Sequence, residues 1–148
     1  TANEMYEAVM HHMKDKDVYI GTAAVSDYSP TKSHDSKIKK DGSKSSMVLE
    51  LKENRDILNS VSELKDRPYV VGFAAETDNL IDNAKKKLTN KRLDLIVAND
   101  VSDKNIGFDS DDNEVTLITQ KEQKLLERQN KKKISNKIIE FISGRIND

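Results

Sequence analysis

The chain has 148 residues, of which 34% are charged and 35% hydrophobic, and its formal net charge is -1. This near-neutral balance argues against a dedicated nucleic-acid binder and against a protein of anionic membrane surfaces, and no apolar run is long enough to cross a bilayer. The lack of cysteine excludes disulfides, thiolate nucleophiles and cysteine-ligated metals, and it fits a cytoplasmic protein. The length suits a single domain over residues 1–148.

The first third of the chain predicts a helix, a strand and a long polar loop. Apolar residues at helical spacing, among them Tyr6 and Val9, predict a helix over residues 4–14. Residues 18–25 are apolar on both alternating faces, which is typical of a buried parallel strand. Residues 29–46 are polar and rich in lysine, so we expect a mobile loop there.

The remainder alternates between strand and helix patterns. One helix is expected to begin near Asn54 and Asp56. Two more helices are expected, one after the strand predicted over residues 68–75 and one after the last strand. The strands are predicted over residues 47–51, 68–75, 93–98 and 115–119. The apolar faces of the helices are predicted to be Ile57, Leu58, Val61 and Leu64, then Leu80, Ala84 and Leu88, and finally Ile134, Ile138, Phe141 and Ile142.

This order of elements implies βαβ units, and it predicts a three-layer, Rossmann-like α/β fold. Such a fold has a mainly parallel sheet with helices on both faces. Ligands bind beyond the carboxyl ends of the strands in sheets of this kind. The residues to consider for function therefore lie in segments 26–28, 74–78 and 98–103.

Two groups in the first half of the chain have both a functional and a structural interpretation. Asp27 follows a predicted strand directly, where its carboxylate either holds a magnesium ion or a sugar hydroxyl, or caps the turn. Lys37, Lys39 and Lys40 either close over a polyphosphate or form part of a solvated loop.

The second half of the chain offers similar choices. The segment 54–57 either caps a helix or presents its backbone N–H groups to an anion or a base. Phe73 lies within a predicted buried strand and suits a core position, whereas Glu76 and Thr77 follow that strand, within reach of a ligand. A lysine-rich helix is either a solvated face or a phosphate site; its lysines are Lys85, Lys86, Lys87 and Lys91.

Several common motifs are absent from the sequence. It contains no P-loop, no Gly-x-Gly-x-x-Gly dinucleotide fingerprint and no Gly-x-Ser-x-Gly elbow. His11 and His12 are adjacent on a predicted helix and cannot share one face, and His34 is distant, so a histidine metal site is not expected.

The order and spacing of six segments together resemble the phosphopantothenoylcysteine synthetase family. This domain usually forms the C-terminal half of a bifunctional coenzyme A biosynthesis protein, behind a flavin-dependent decarboxylase. The Phe-Ala-Ala-Glu-Thr and Ala-Asn-Asp parts are the most specific. The six segments are Ala-Ala-Val-Ser-Asp-Tyr (23–28), Lys-Ile-Lys-Lys (37–40), Asn-Arg-Asp-Ile (54–57), Val-Gly-Phe-Ala-Ala-Glu-Thr (71–77), Asp-Leu-Ile-Val-Ala-Asn-Asp (94–100) and Gly-Phe-Asp-Ser-Asp-Asp-Asn (107–113).

The resemblance implies a ligase that joins 4′-phosphopantothenate to L-cysteine with CTP and magnesium, through an acyl cytidylate. Asp27 and Lys37 would be the catalytic residues, with Lys37 on the triphosphate and Asp27 on the nucleotide or its metal. Asn54 to Ile57 would form the cytosine pocket. The implied nucleotide-binding residues are Gly21, Thr22, Ala23, Asp27, Lys37, Asn54, Arg55, Asp56, Ile57, Phe73, Lys87 and Lys91.

The resemblance also implies a homodimer with the lysine-bearing segment near the subunit boundary, and a fused or associated flavin-dependent decarboxylase. The family begins with a strand, a Gly-rich loop, an Arg and an Asn ahead of a Ser-Ser-Gly-Lys segment, none of which has a counterpart here. At position 55 the family often has proline. We therefore expect a largely built nucleotide site and an incomplete phosphopantothenate site. The alternative function is a non-catalytic nucleotide-binding module of Rossmann-like fold.

Overall fold

The computed structural model describes residues 1–32, 36–39, 46–76, 78–100 and 110–146, which form four helices and seven strands. The helices are α1 (Ala2–His12), α2 (Ile57–Ser62), α3 (Leu80–Asn90) and α4 (Lys131–Ile146). The strands are β1 (Val18–Gly21), β2 (Tyr28–Pro30), β3 (Leu51–Glu53), β4 (Tyr69–Glu76), β5 (Leu95–Asp100), β6 (Asp112–Ile118) and β7 (Gln123–Asn130).

Five of the described strands form one mixed sheet in the order β1-β4-β5-β6-β7. The pairs β1–β4 and β4–β5 are parallel, whereas β5–β6 and β6–β7 are antiparallel. Only β6 therefore runs against the other four strands. The remaining two strands, β2 and β3, form a separate antiparallel pair.

Helices cover both faces of the sheet, so the predicted three-layer α/β fold is confirmed. One face packs under α1, α2 and α3 and buries Val70, Ile96 and Ala98 together with Val61 and Leu88. The other face packs against α4 through a second group of buried residues, which are Val71, Leu95, Val97, Val115, Leu117, Leu126, Ile134, Ile138 and Ile142. Alternate residues of β4 and β5 thus enter different layers, as strand geometry requires.

The predicted strand over residues 18–25 is too long. It ends at Gly21, and residues 22–27 leave the sheet. Its four residues are also only partly buried, not fully buried as predicted, because β1 has a neighbour on one side only among the described strands.

The region around the predicted polar loop differs from the prediction at both ends. Ser29 and Pro30 belong to strand β2, and the strand predicted over 47–51 is instead β3, which begins at Leu51. The two strands pair with each other, from Tyr28 opposite Glu53 to Pro30 opposite Leu51. Of the predicted mobile loop, residues 33–35 and 40–45 lie outside the described part of the chain.

Strand β7 was not predicted from the sequence. Its residues are mostly charged or polar, and its two leucines are adjacent rather than alternating. Leu126 is 5% exposed and packs toward α4, whereas Leu125 is 54% exposed. The other helices and strands are confirmed with small shifts in their ends. No helix in the described ranges is long and apolar enough to cross a membrane.

Two adjacent glycines allow α2 to lie close to the sheet. Gly21 of β1 pairs with Gly72 of β4. A Cβ at Gly21 would lie 3.0 Å from Cδ2 of Leu58, and a Cβ at Gly72 would lie 2.9 Å from Cδ1 of Leu93 and 3.4 Å from Cδ1 of Leu58. Because Leu93 is only 3% exposed, its side chain has little room to move aside.

We predict that Gly72→Ala lowers the free energy of unfolding by about 1–3 kcal/mol, because the added methyl overpacks this contact. Gly144 supplies the control, since a Cβ there meets nothing within 4 Å and the residue lies within α4. Gly144→Ala should stabilise the protein by about 0.5–1 kcal/mol. Urea unfolding followed by circular dichroism measures both changes, and equal effects of the two substitutions would contradict the packing argument.

Candidate functional site

A cleft of about 620 Å³ opens beside the carboxyl end of β1. β1 stops at Gly21, opposite Gly72, whereas residues 73–76 of β4 continue alongside β5. The end of β4 therefore extends past β1 and forms the floor of the cleft. The walls come from residues 22–28, from the segment before α2, and from the lysines of α3. The volume lies within the range of about 300–1,000 Å³ that is usual for small-molecule sites.

The cleft brings together every predicted nucleotide-binding residue except Lys37. Lys37 is exposed and is not among the lining residues. The predicted residues that line the cleft are Gly21, Thr22, Ala23, Asp27, Asn54, Arg55, Asp56, Ile57, Phe73, Lys87 and Lys91. Positions that are up to 70 residues apart in the sequence, such as Gly21 and Lys91, thus share one surface.

Asn54 connects the loop after β1 to the start of α2 through hydrogen bonds. Its side-chain Nδ2 donates to the carbonyl oxygen of Ser26 at 2.8 Å, and its Oδ1 accepts from Ser29 Oγ at 2.7 Å. Its backbone N–H donates to the carbonyl oxygen of Asp27 at 2.7 Å. The Asn54 carboxamide therefore fixes the wall of the cleft that carries Asp27.

Arg55 joins the same segment to α1. Its guanidinium lies 3.7 Å from the centre of the Tyr6 ring, donates to Asn3 Oδ1 at 2.7 Å, and forms an ion pair with Glu7. The hydrogen bond with Glu7 raises the pKa of the Arg55 guanidinium. Arg55 lines the cleft, but its charge is already directed toward α1.

Asp56 links α2 to α3. It is the N-cap of α2, where its Oδ1 accepts from the Asn59 N–H at 3.0 Å, and its Oδ2 pairs with Lys91 Nζ at 2.6 Å. The helix-capping interpretation of this segment is thus confirmed. Partial burial raises the pKa of Asp56, but the hydrogen bonds from Lys91 and the Asn59 N–H, with the charges of Lys91 and Lys87, outweigh it, so the net pKa is lowered.

Lys87, in the last turn of α3, and Lys91, its C-cap, differ in their ion pairs. Lys91 is paired with Asp56, which offsets the repulsion expected between Lys87 and Lys91. Lys87 is partly buried and lines the cleft without an ion pair to any described residue. An anion in the cleft would thus meet Lys87 directly and would compete with Asp56 for Lys91.

Asp27 is an exposed carboxylate at the rim of the cleft. In the described ranges, no group of three or more His, Cys, Asp or Glu side chains is arranged to hold a metal ion. Magnesium is commonly bound by one or two carboxylates together with substrate phosphates. Asp27 is therefore a carboxylate of the kind that contributes one ligand to a magnesium ion.

Phe73 and Ile57 are the two large apolar side chains among the predicted residues that line the cleft. Phe73 is half-buried and packs against the core on the α4 side, so it serves both the core and the cleft. Ile57 is 6% exposed and belongs to the core on the other side of the sheet.

Two further polar residues of the cleft, Ser26 and Asn99, lie in the segments 26–28 and 98–103 that the sequence favoured for function, but neither was assigned a role there. Ser26 lines the cleft and accepts the Asn54 hydrogen bond. Asn99 also lines the cleft, and its Oδ1 is buried without a hydrogen-bond partner in the described part of the chain. The signal for Asn99 was its place at the end of a predicted strand. Thr77 and Lys40 lie outside the described residues, as does the side chain of Glu76.

Comparison with known proteins gives a consistent picture. Residues 1–145 match the family model described as the DNA/pantothenate metabolism flavoprotein C-terminal domain. The chain belongs to this family. The resemblance inferred from the sequence segments is therefore confirmed.

Several relatives of the chain are named coenzyme A biosynthesis bifunctional protein CoaBC. The protein from Vibrio vulnificus (strain YJ016) is 42% identical over 143 residues, which is 96% of this chain and 36% of the relative. That from Escherichia coli (strain K12) is 40% identical over 150 residues, covering 100% of this chain and 37% of the relative. The chain thus spans little more than a third of these relatives.

Two of the solved structures that match illustrate the shared fold. The crystal structure of the C-terminal domain of CoaBC has a TM-score of 0.79 and 36% identity, and the match covers 100% of this chain and 64% of that one. The DNA/pantothenate metabolism flavoprotein from Streptococcus pneumoniae has a TM-score of 0.74 at 23% identity, covering 99% and 68% of the two chains. The second likeness supports the fold alone.

The low pKa of Asp56 predicts a pH-dependent contribution to stability. A carboxylate with a lowered folded-state pKa stabilises the protein above its ordinary pKa of 3.8, and this contribution is lost as the pH falls through the lower folded-state value. We expect Asp56→Asn, which keeps a helix cap, to cost about 0.2–1 kcal/mol at neutral pH. The cost should vanish under strongly acidic conditions.

Urea unfolding at neutral and at strongly acidic pH measures this difference. Asp66→Asn is the matched control, because Asp66 is exposed and makes no described ion pair. An Asp56→Asn deficit of the same size at both pH values would show that the ionised carboxylate is not its source.

Proposed function

We propose that this domain binds CTP and catalyses the ligation of 4′-phosphopantothenate with L-cysteine in coenzyme A biosynthesis. The observation that carries the proposal is the gathering of the family-implied nucleotide residues around one cleft at the strand ends. The names of the relatives support the pathway, and the chemistry of the cleft supports a nucleotide as one of the substrates.

The charges of the cleft suit a nucleoside triphosphate. Lys87 is available to a phosphate, and Lys91 is held nearby by Asp56. Lys37, on the segment after β2, would add a third cation once a triphosphate draws that segment inward. Magnesium would neutralise charge on the phosphates when bound, with Asp27 as a carboxylate ligand. Cations placed around the leaving pyrophosphate stabilise the charge that develops on it.

The base is proposed to lie against residues 54–57. The Asn54 side chain donates one hydrogen bond from Nδ2 and accepts one at Oδ1, and both hold the loop after β1. Contacts with cytosine would come from backbone groups of this segment, which Asn54 and Asp56 hold in place. Phe73 would supply apolar surface beside the nucleotide.

The proposed reaction has two steps. The carboxylate of 4′-phosphopantothenate attacks the α-phosphate of CTP, which forms the acyl cytidylate and breaks the bond to pyrophosphate. The amine of cysteine then attacks the acyl carbon, which forms the amide, releases CMP and yields a proton to solvent. Lys37, Lys87 and Lys91 act in the first step by stabilising pyrophosphate, and Asp27 acts through the nucleotide or its metal.

We also propose that the active form is a homodimer and that it works with a fused or associated flavin-dependent decarboxylase. Support for the dimer comes from an exposed apolar run before β3, in which Met47 is 62% exposed, Val48 91% and Leu49 59%. Runs of this kind commonly mark protein interfaces. Support for the decarboxylase comes from the bifunctional names of the relatives.

The test of the function is pyrophosphate release by the complete gene product with CTP, 4′-phosphopantothenate and cysteine. We predict turnover that requires all three substrates, and tighter binding of CTP than of ATP or GTP by calorimetry with magnesium. Binding of CTP without any pyrophosphate release would favour the non-catalytic nucleotide-binding module. Equal affinity for the three nucleotides would remove the assignment of residues 54–57 to the base.

A further prediction concerns Lys37, which no contact among the described residues ties to the cleft. We expect Lys37→Ala in the complete gene product to lower kcat/KM at least about tenfold, because it removes a charge contact to the developing pyrophosphate. Lys132→Ala is the control, since Lys132 is an exposed residue of α4 away from the cleft. Equally small effects of both substitutions would support the alternative interpretation, in which Lys37 is part of a solvated loop.

A further inference from the structure

Residues 54–56 form an irregular link between the end of β3 and the start of α2. A link of this kind lacks the repeating hydrogen bonds of a helix or a strand, so side-chain contacts decide where it lies. Asn54 and Asp56 supply two of these contacts, to Ser26 and to Lys91. Both partners line the cleft themselves, so a ligand that moves them also moves the link.

Arg55 connects the same link to residues outside the cleft. Its guanidinium lies 3.7 Å from the centre of the Tyr6 ring, donates to Asn3 Oδ1 at 2.7 Å and forms an ion pair with Glu7. These three residues of α1 are not among the described residues that line the cleft. Arg55 itself lines the cleft, but the partners of its charged group lie on the neighbouring helix.

Helix α1 gives the guanidinium a fixed set of partners. The helix begins with a capping box formed by Thr1 and Glu4, which defines its first turn. Tyr6 packs against the core beneath the helix, so its ring is held in place where the guanidinium lies over it. One exposed ion pair would restrain Arg55 only weakly, whereas a ring, an amide and a carboxylate together favour one orientation of the planar group.

A bound triphosphate would weaken one of the other contacts of the link. It would compete with Asp56 for Lys91, because phosphate oxygens attract the same ammonium group. The link would then lose a contact at the moment when it must hold the base. The contacts of Arg55 with α1 would remain, since Lys87 and Lys91 offer the phosphates cations of their own.

We propose that Arg55 is a positioning residue for the nucleotide, which holds residues 54–56 against α1 and so keeps the base-binding segment in place. This inference rests on the proposed function, which assigns that segment to the base of CTP. Arg55 acts through the link and does not bind the phosphates. Glu7 of α1, which is outside the cleft, therefore controls the affinity for CTP through Arg55.

The first test replaces Arg55 with alanine in the complete gene product. We expect the Kd for CTP, measured by calorimetry with magnesium, to rise about three- to tenfold, because contacts of an exposed guanidinium are individually modest. The KM for CTP should rise with it. The kcat and the KM for 4′-phosphopantothenate should stay within about twofold, because uniform binding of the nucleotide is what is lost.

Arg128→Ala is the matched control for this test. The side chains of Arg128 and Arg55 are both 49% exposed, and Arg128 forms an ion pair with Asp112 away from the cleft. It should leave the Kd for CTP unchanged. An Arg55→Ala variant that binds CTP as tightly as the wild type, or one that loses kcat and affinity for every substrate together, would overturn the inference.

Glu7→Ala distinguishes positioning from direct phosphate binding, because the two roles give opposite signs. If Arg55 positions the link, loss of the ion pair raises the Kd for CTP about two- to fivefold, and this rise disappears when Arg55 is already alanine. If Arg55 binds the triphosphate directly, Glu7→Ala releases the guanidinium and lowers the Kd. A lower Kd, or a rise that persists in the Arg55→Ala background, would overturn the inference.

The wild-type protein separates this inference from the proposed function. A wild type that binds CTP, with an Arg55→Ala variant of equal affinity, would overturn the inference alone. A wild type that binds CTP but releases no pyrophosphate with the three substrates would overturn the ligase function alone, since the Kd values still test Arg55. A wild type that does not bind CTP would overturn both.

Discussion

The position of the cleft depends on how closely α2 approaches the sheet, and the Gly21–Gly72 pair sets that distance. Leu58 lies over the two glycines, where side chains on the strands would otherwise hold the helix away. Because Asp56 caps α2, this close approach brings the segment before the helix next to the strand ends. The Gly21–Gly72 pair therefore shapes the site through the packing of α2, and Gly21 also lines the cleft itself. A helix held farther from the sheet would leave the cleft without one wall.

The segment 54–56 makes three structural connections through three consecutive side chains. Asn54 binds the loop after β1, Arg55 binds α1, and Asp56 binds α3. The resemblance supplied these residues as candidates for the base pocket, but the sequence could not supply their partners, because Ser26 and Lys91 are distant along the chain. Loss of nucleotide binding on substitution here would therefore not by itself show direct contact. The same segment supports the cleft and lines it.

The strands that the sequence predicted well are those buried on both faces. Val70 and Val71 are each 0% exposed and enter opposite cores, so most of the β4 sequence is a continuous apolar run. Strand β1 was predicted too long because Ala23 and Ala24 are apolar yet line a cleft, and hydrophobicity does not distinguish a core from a cleft wall. Strand β7 was missed because an edge strand with one buried face carries mostly charged residues. The Asn54 connections depend on tertiary packing, which no local pattern encodes.

The cleft has two chemically different sides because one strand ends early. β1 stops at Gly21, so the end of β4 is open toward both helical layers. On the α3 side the cleft has lysines and a carboxylate that positions one of them; on the α4 side it has Phe73 and Asn99. Under the proposed function, the lysines on the α3 side would bind the triphosphate, and Phe73 would lie beside the nucleotide. The early end of β1 would then leave the strand end open for the second substrate to reach the α-phosphate.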